Sequence, residues 1–256
     1  MKLNLQSEVR TRHSTMPVRL SGVFLDAAGS EKGLTVLRVL PNAAPTDEWT
    51  SSMSVVPQPV FCPQQGEVGI LDPFWWQSLA QADANAETPA AFTGGAMTCL
   101  FTLAKDVESD DSRWLKGQAR IASPGDYIDR PVRLPEGAEI GAIVNEINHV
   151  SLNGRSIYPL LKLRRSKTDM SMQVGIRNGA MVFAQNGAMI GVIVATFGGG
   201  EFYSIAPIED IMEWHALSFF TKPPQDRLQT KKKRIEVREF ERQIRGSEEL
   251  IRMIGS

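Results

Sequence analysis

The sequence is poor in the residues that usually carry metal or redox chemistry: 256 residues contain two cysteines and three histidines. Two cysteines, Cys62 and Cys99, make no disulfide framework. With histidines only at 13, 149 and 215, no spacing suits a metal site, and no cofactor is expected. Charge of one sign is missing too. Twenty-eight basic residues face 29 acidic ones, so there is no global pull toward nucleic acid or a membrane surface. No apolar run reaches the roughly 18 residues of a membrane span. Met1 to Leu20 lacks the apolar centre of a secretory signal. An intracellular setting, cytoplasmic or organellar, is therefore expected. Lys2, Arg10, Arg12 and Arg19 against Glu8 admit a mitochondrial-type leader, but a frayed polar terminus over 1–17 is the favoured reading, with His13 in solvent.

What the chain has in quantity is strand texture. The richest stretch runs from Met170 to Ile211. Val182-Phe183 is a short apolar strand, and Asn186-Gly187 is a dipeptide suited to a tight hairpin. Met189 to Phe197 is apolar almost without interruption, too continuous for a half-exposed edge. Gly198, Gly199 and Gly200 break it, a strand starts at Phe202, and Pro207-Ile208-Glu209-Asp210 opens a short helix. Near the other end, Val18 to Asp26 alternates and reaches the turn Ala27-Ala28-Gly29-Ser30, and Gly33 to Val39 follows as a second strand.

These segments resemble a trypsin-like serine protease domain, particularly of the HtrA type. In that pattern a Gly-x-Ser-Gly-Gly-Pro nucleophile loop leads into a strand, an Asn-Gly turn, an Ile-Gly-Val strand, a Gly-rich strand and a closing helix. The resemblance places Asn178 at the nucleophile, followed by Gly179, Ala180 and Met181. The opening hairpin places Arg38 at the general-base histidine. Gln65 to Asp72 resembles the family's Asp-x-Ala-x-Leu segment and places Glu67 at the aspartate. Base, acid and nucleophile then follow in chymotrypsin-like order. The implied fold is all-β: two six-stranded antiparallel β-barrels, with a C-terminal α-helical extension.

The implied chemistry is broken at several places. An amide at Asn178 is no nucleophile, and Arg38 stays protonated and accepts no proton. The oxyanion-hole position, where the family favours glycine, is Ile176, whose branched side chain resists that backbone. A displaced nucleophile or base would have to come from His149, His215 or a cysteine. His149 reads as a surface or structural group, His215 as a partner of the last helical carbonyls, and Cys62 and Cys99 as small buried residues.

Between the two halves, Phe74-Trp75-Trp76 suits core packing, residues 80–91 a polar loop, Phe92 to Lys105 a strand and residues 106–112 a solvated acidic turn. Trp114 to Ile121 is a further strand candidate, and Ser123-Pro124-Gly125-Asp126 reads as the linker between barrels. Strands over Ile140–Val150 and Ser156–Leu163 flank an Asn153-Gly154 turn. The organisation expected is a terminus over 1–17, barrels over 18–123 and 124–215, and a linker with a charged helix over 216–256.

That last segment carries Lys231, Lys232, Lys233 and Arg234 interleaved downstream with Glu236, Glu239 and Glu241, which suits pairs along one helix. It reads as an arm for a protein partner, with RNA as the second choice. Gly198, Gly199, Gly200 and Phe202 would form a vestigial peptide-binding strand by strand addition. The expected function is a non-catalytic protease homologue serving as a structural or interaction subunit. The alternatives are an active endopeptidase with a displaced nucleophile, and an RNA-associated subunit.

Overall fold

The computed structural model describes residues 2–5, 7–11, 17–36, 58–72, 93–109, 120–152, 155–166 and 178–218. Strands dominate them. The first half forms a seven-stranded sheet from β2 (Glu8–Thr11), β3 (Val18–Arg19), β4 (Gly22–Leu25), β5 (Glu31–Val36), β6 (Gln58–Cys62), β7 (Gly66–Leu71) and β8 (Thr98–Leu103). Its spatial order is β3-β2-β6-β7-β8-β5-β4. Two short segments, β1 (Lys2–Leu3) and β9 (Glu108–Ser109), pair in parallel beside it.

Local chemistry sets the β4–β5 hairpin. The Asp26 carboxylate accepts the backbone N–H groups of Ala28 and Ser30 at 2.8 and 2.9 Å, and Gly29 takes φ +81°. Asp supplies the side-chain acceptor of the turn and Gly the left-handed backbone. Inside the sheet, Phe101 is fully buried and lies over Gly33, where a Cβ would come 2.2 Å from its ring.

Within the segment 1–17, expected as a frayed terminus, the described residues include two short strands. Residues 8–11 pair with both β3 and β6, and Leu3 and Val9 are fully buried. Arg10 points outward while Val9 and Thr11 face in, so a segment polar on average is apolar on one face.

The second half closes into a barrel. Its strands are β10 (Pro131–Arg133), β11 (Glu139–Leu152), β12 (Arg155–Arg165), β13 (Met181–Ala184), β14 (Met189–Phe197) and β15 (Phe202–Pro207), in the order β10-β11-β12-β15-β14-β13. Pairing of Val132 with Ala184 completes the ring. The β13–β14 hairpin turns at Asn186-Gly187 as expected: Gly187 has φ +82°, and Asn186 Oδ1 accepts the Ala188 N–H at 3.0 Å.

Two cores explain the continuous apolar strands. On β13, Met181 and Phe183 enter one core and Val182 and Ala184 the other. On β14, Met189, Val192 and Val194 belong to the first core and Ile190 and Ile193 to the second. Strands buried on both faces carry no polar alternation. Two short helices finish the unit: α1 (Pro124–Tyr127), in the connection between the halves, and α2 (Ile208–Trp214) after β15.

Candidate functional site

The turn that should hold the nucleophile is fixed by three backbone hydrogen bonds to two residues, Arg19 and Ile193. Asn178 accepts the Arg19 N–H through its backbone carbonyl at 2.9 Å, the Gly179 N–H donates to the Ile193 carbonyl at 2.8 Å, and the Ile193 N–H donates to Ala180 at 3.0 Å. Gly179 has φ +91°, and a Cβ there would meet the Arg19 carbonyl oxygen at 2.2 Å. Only glycine fits. The same Arg19 carbonyl accepts the Thr35 hydroxyl at 3.1 Å, so the turn is tied to β5. Asn178 is 9% exposed.

The other side of the site is the end of β5 that leads toward Arg38. Its last residue, Val36, pairs with Thr98, the first residue of β8. The Thr98 hydroxyl donates to the Gly95 carbonyl at 2.6 Å and lies 2.9 Å from His215 Nε2. A hydroxyl has one proton, already given to Gly95, so the pair requires the tautomer with the proton on Nε2. Burial is the main cause that lowers the His215 pKa to about 4, against an upward pull from a hydrogen bond with the Thr98 backbone and from Asp72. At neutral pH the imidazole is uncharged and tied to a threonine.

Glu67 is not brought to this site. β8 separates β7 from β5, and the register Val36–Thr98 and Gly69–Leu103 places Glu67 near the opposite end of β8. Glu67 is exposed at the start of its strand. The residue beside the end of β5 is therefore Thr98. Sequence reasoning missed this because similarity to a short motif led to β7, while only the strand order shows that β8 is the neighbour of β5. Arg38 and Ile176 lie outside the described residues, as do Lys231, Lys232, Lys233 and Arg234.

The substitutes fare as follows. His149 is exposed, with its backbone N–H on the Asn148 side chain at 2.9 Å. His215 is lodged against Thr98 rather than on the last carbonyls of α2, whose Ile211 carbonyl accepts the His215 backbone N–H at 3.1 Å. Cys62 and Cys99 are buried free thiols. Burial and then Asp72 push the Cys99 thiol far above its ordinary range, which removes the reactive thiolate. Asp72 itself is engaged elsewhere, with Lys32 Nζ at 2.8 Å and the Thr102 hydroxyl at 2.8 Å. Among the described residues no group of three or more His, Cys, Asp or Glu side chains could hold a metal ion.

The segment expected to bind peptide, Gly198, Gly199, Gly200 and Phe202, has this geometry. Gly198–Gly200 form a tight 3-10 turn, and Phe202 pairs on one side with Arg164 and on the other with Phe197. No edge of β15 is open there to an added strand. Phe197 and Phe202 stack at 5.5 Å, and Lys162 Nζ sits 4.9 Å from the Phe202 ring centre.

No protein-family model matches the sequence, and no curated protein matches it. Solved structures do match in fold. An alpha-lytic protease homologue, N4, superposes with a TM-score of 0.52 at 10% identity, covering 86% of this chain and all of that one. A glutamic acid-specific serine protease gives 0.49 at 7% identity over 84% of this chain and 98% of its own. A Nocardiopsis protease gives 0.49 at 11% identity with the same coverage. The chain has the trypsin-like, chymotrypsin-type double-barrel fold, with its second barrel closed and its first an open, curled sheet. Among the described residues no helix is long and apolar enough to cross a membrane.

Proposed function

We propose that this chain is a non-catalytic homologue of trypsin-like serine proteases, nearest the HtrA type in its motif order, and serves as a structural or interaction subunit of a larger assembly. The observation that carries the reading is the Asn178-Gly179 turn. It stands immediately before the β13–β14 hairpin, it is locked by backbone bonds to Arg19 and Ile193, and it presents an amide where attack on a carbonyl needs a hydroxyl. Thr98 beside the end of β5 supports it, since threonine does not hold an imidazolium as a carboxylate does. Arg38 and Ile176 extend the same loss in sequence. Two unpaired cysteines suit an intracellular setting, cytoplasmic or organellar.

The attachment is assigned to the charged segment after Phe220, with Lys231, Lys232, Lys233 and Arg234 toward a protein partner. RNA binding is the second reading, and it demands affinity that falls steeply with salt and with neutralisation of those four residues. Turnover of fluorogenic peptides tests the loss of catalysis. The expected rate is that of buffer alone. Sustained turnover abolished by Cys99→Ala or His149→Ala would instead establish an endopeptidase with a displaced nucleophile.

A further inference from the structure

The chain from α2 to Ser218 straps the two halves together. Ile208 and Ile211 of α2, with Leu217, enter the first core. Trp214 lies so close to Gly95 that a Cβ there has no room. His215 then meets Thr98, and Ser218 exchanges two backbone hydrogen bonds with Leu25, at 2.9 and 3.1 Å, on the outer edge of β4. Between these two anchors Ala216 takes φ +52°, a left-handed backbone that strains any residue with a Cβ. The Leu217 N–H reaches back to the Met212 carbonyl at 2.8 Å and closes the helix end around it.

No ladder of either sheet runs through this strap. The closed ring is complete within β10 to β15, and the seven-stranded sheet ends at β4. Opening residues 215–218 therefore leaves every strand pair of both sheets in place. A segment held in this way opens at a lower free energy than the whole fold.

His215 supplies the trigger. Its Nε2 proton is directed at Thr98, whose own proton goes to Gly95, so a further proton enters at Nδ1 and makes the ring a cation. The 3-10 turn Gly94–Met97 that packs on α2 carries no charged group, and Thr98 and Cys99 at the start of β8 are neutral. Asp72, at the end of β7, acts on the imidazole from outside its own helix, and it is already paired with Lys32. The acids of α2 are Glu209, Asp210 and Glu213. Burial outweighs the pull of Asp72 and keeps the ring neutral, so the proton is taken up more readily once the strap stands in water. We propose that residues 215–218 form a latch on the outer edge of β4, which opens without unfolding either sheet and is released by protonation of His215. This goes beyond the loss of catalysis and does not depend on it.

Hydrogen exchange of the full chain, read by mass spectrometry at neutral and acid pH and in low urea, tests this. Peptides covering 215–218 should exchange through an opening with little urea dependence, whereas those of β13 and β14 should need the strongly urea-dependent global one. With a folded pKa of about 4 against 6.5, the opening constant of the latch should rise about 80-fold from about pH 7 to about pH 4.5, after correction for intrinsic exchange rates. His215→Gln keeps a neutral donor for Thr98 and should abolish that rise. A strap that exchanges with the urea dependence of β14, an opening constant indifferent to pH, or an equal rise in His215→Gln would each overturn the proposal. None of these outcomes bears on peptide turnover, so the two readings fail separately.

Discussion

In the closed barrel, β13 and the first six residues of β14 are buried throughout, whereas β7 and β8 of the open sheet turn Glu67, Ile70 and Thr102 to solvent. The difference reaches into the cores. The second core is built from residues 122–205 alone, while the first borrows Ile157, Met181, Phe183, Val192 and Ile211 from the other half. The barrel that resembles the nucleophile-bearing half thus carries the packing of both. Its motif-like sequence is explained by burial on two sides, whatever became of its chemistry.

The largest test of that asymmetry is Phe183→Ala. Phe183 is buried in the shared core, and the loss should be about 3–5 kcal/mol, in one urea transition that takes both halves together. Two separated transitions would break the comparison. His215 comes next, joining α2 to the start of β8. Its folded pKa of about 4 lies below the ordinary 6.5, so between those values the unfolded chain binds the extra proton. Stability is complete above pH 6.5 and declines as pH falls toward 4, by roughly 3 kcal/mol in all. Urea midpoints measured across that window should fall with pH, and His215→Gln should flatten the slope.

Gly179→Ala is expected to cost about 1–3 kcal/mol from the left-handed backbone alone, with the Arg19 carbonyl contact adding to it. Thermal unfolding reads this, and a neutral result would mean that the turn is not fixed to Arg19. The smallest effect belongs to the barrel's outer surface. Glu146, exposed and hydrogen-bonded to Lys162, has its carboxyl held below its usual range by that partner. Such exposed pairs contribute little, so Glu146→Gln should leave the urea midpoint where it was.

The hairpins and the second barrel were legible from the sequence because each has a local cause. Asn186-Gly187 needs its turn, Gly198 to Gly200 ends its strand, and Pro207-Ile208 starts its helix. The residues missed depend on distant neighbours. Val9 is buried on a strand that finds distant β6, Leu3 on one that finds β9, and Glu67 lies away from the end of β5 because β8 stands between β7 and β5. His215 reads as a helix-end residue until Thr98, far away in sequence, is found 2.9 Å away.

Covalent labelling tests the proposed loss of the nucleophile most directly. The purified full chain would be incubated with an excess of a fluorophosphonate and its intact mass measured. We predict no adduct at any incubation time that saturates an active serine protease. A stoichiometric adduct, mapped to one residue and abolished by substitution within 175–180, would contradict the account.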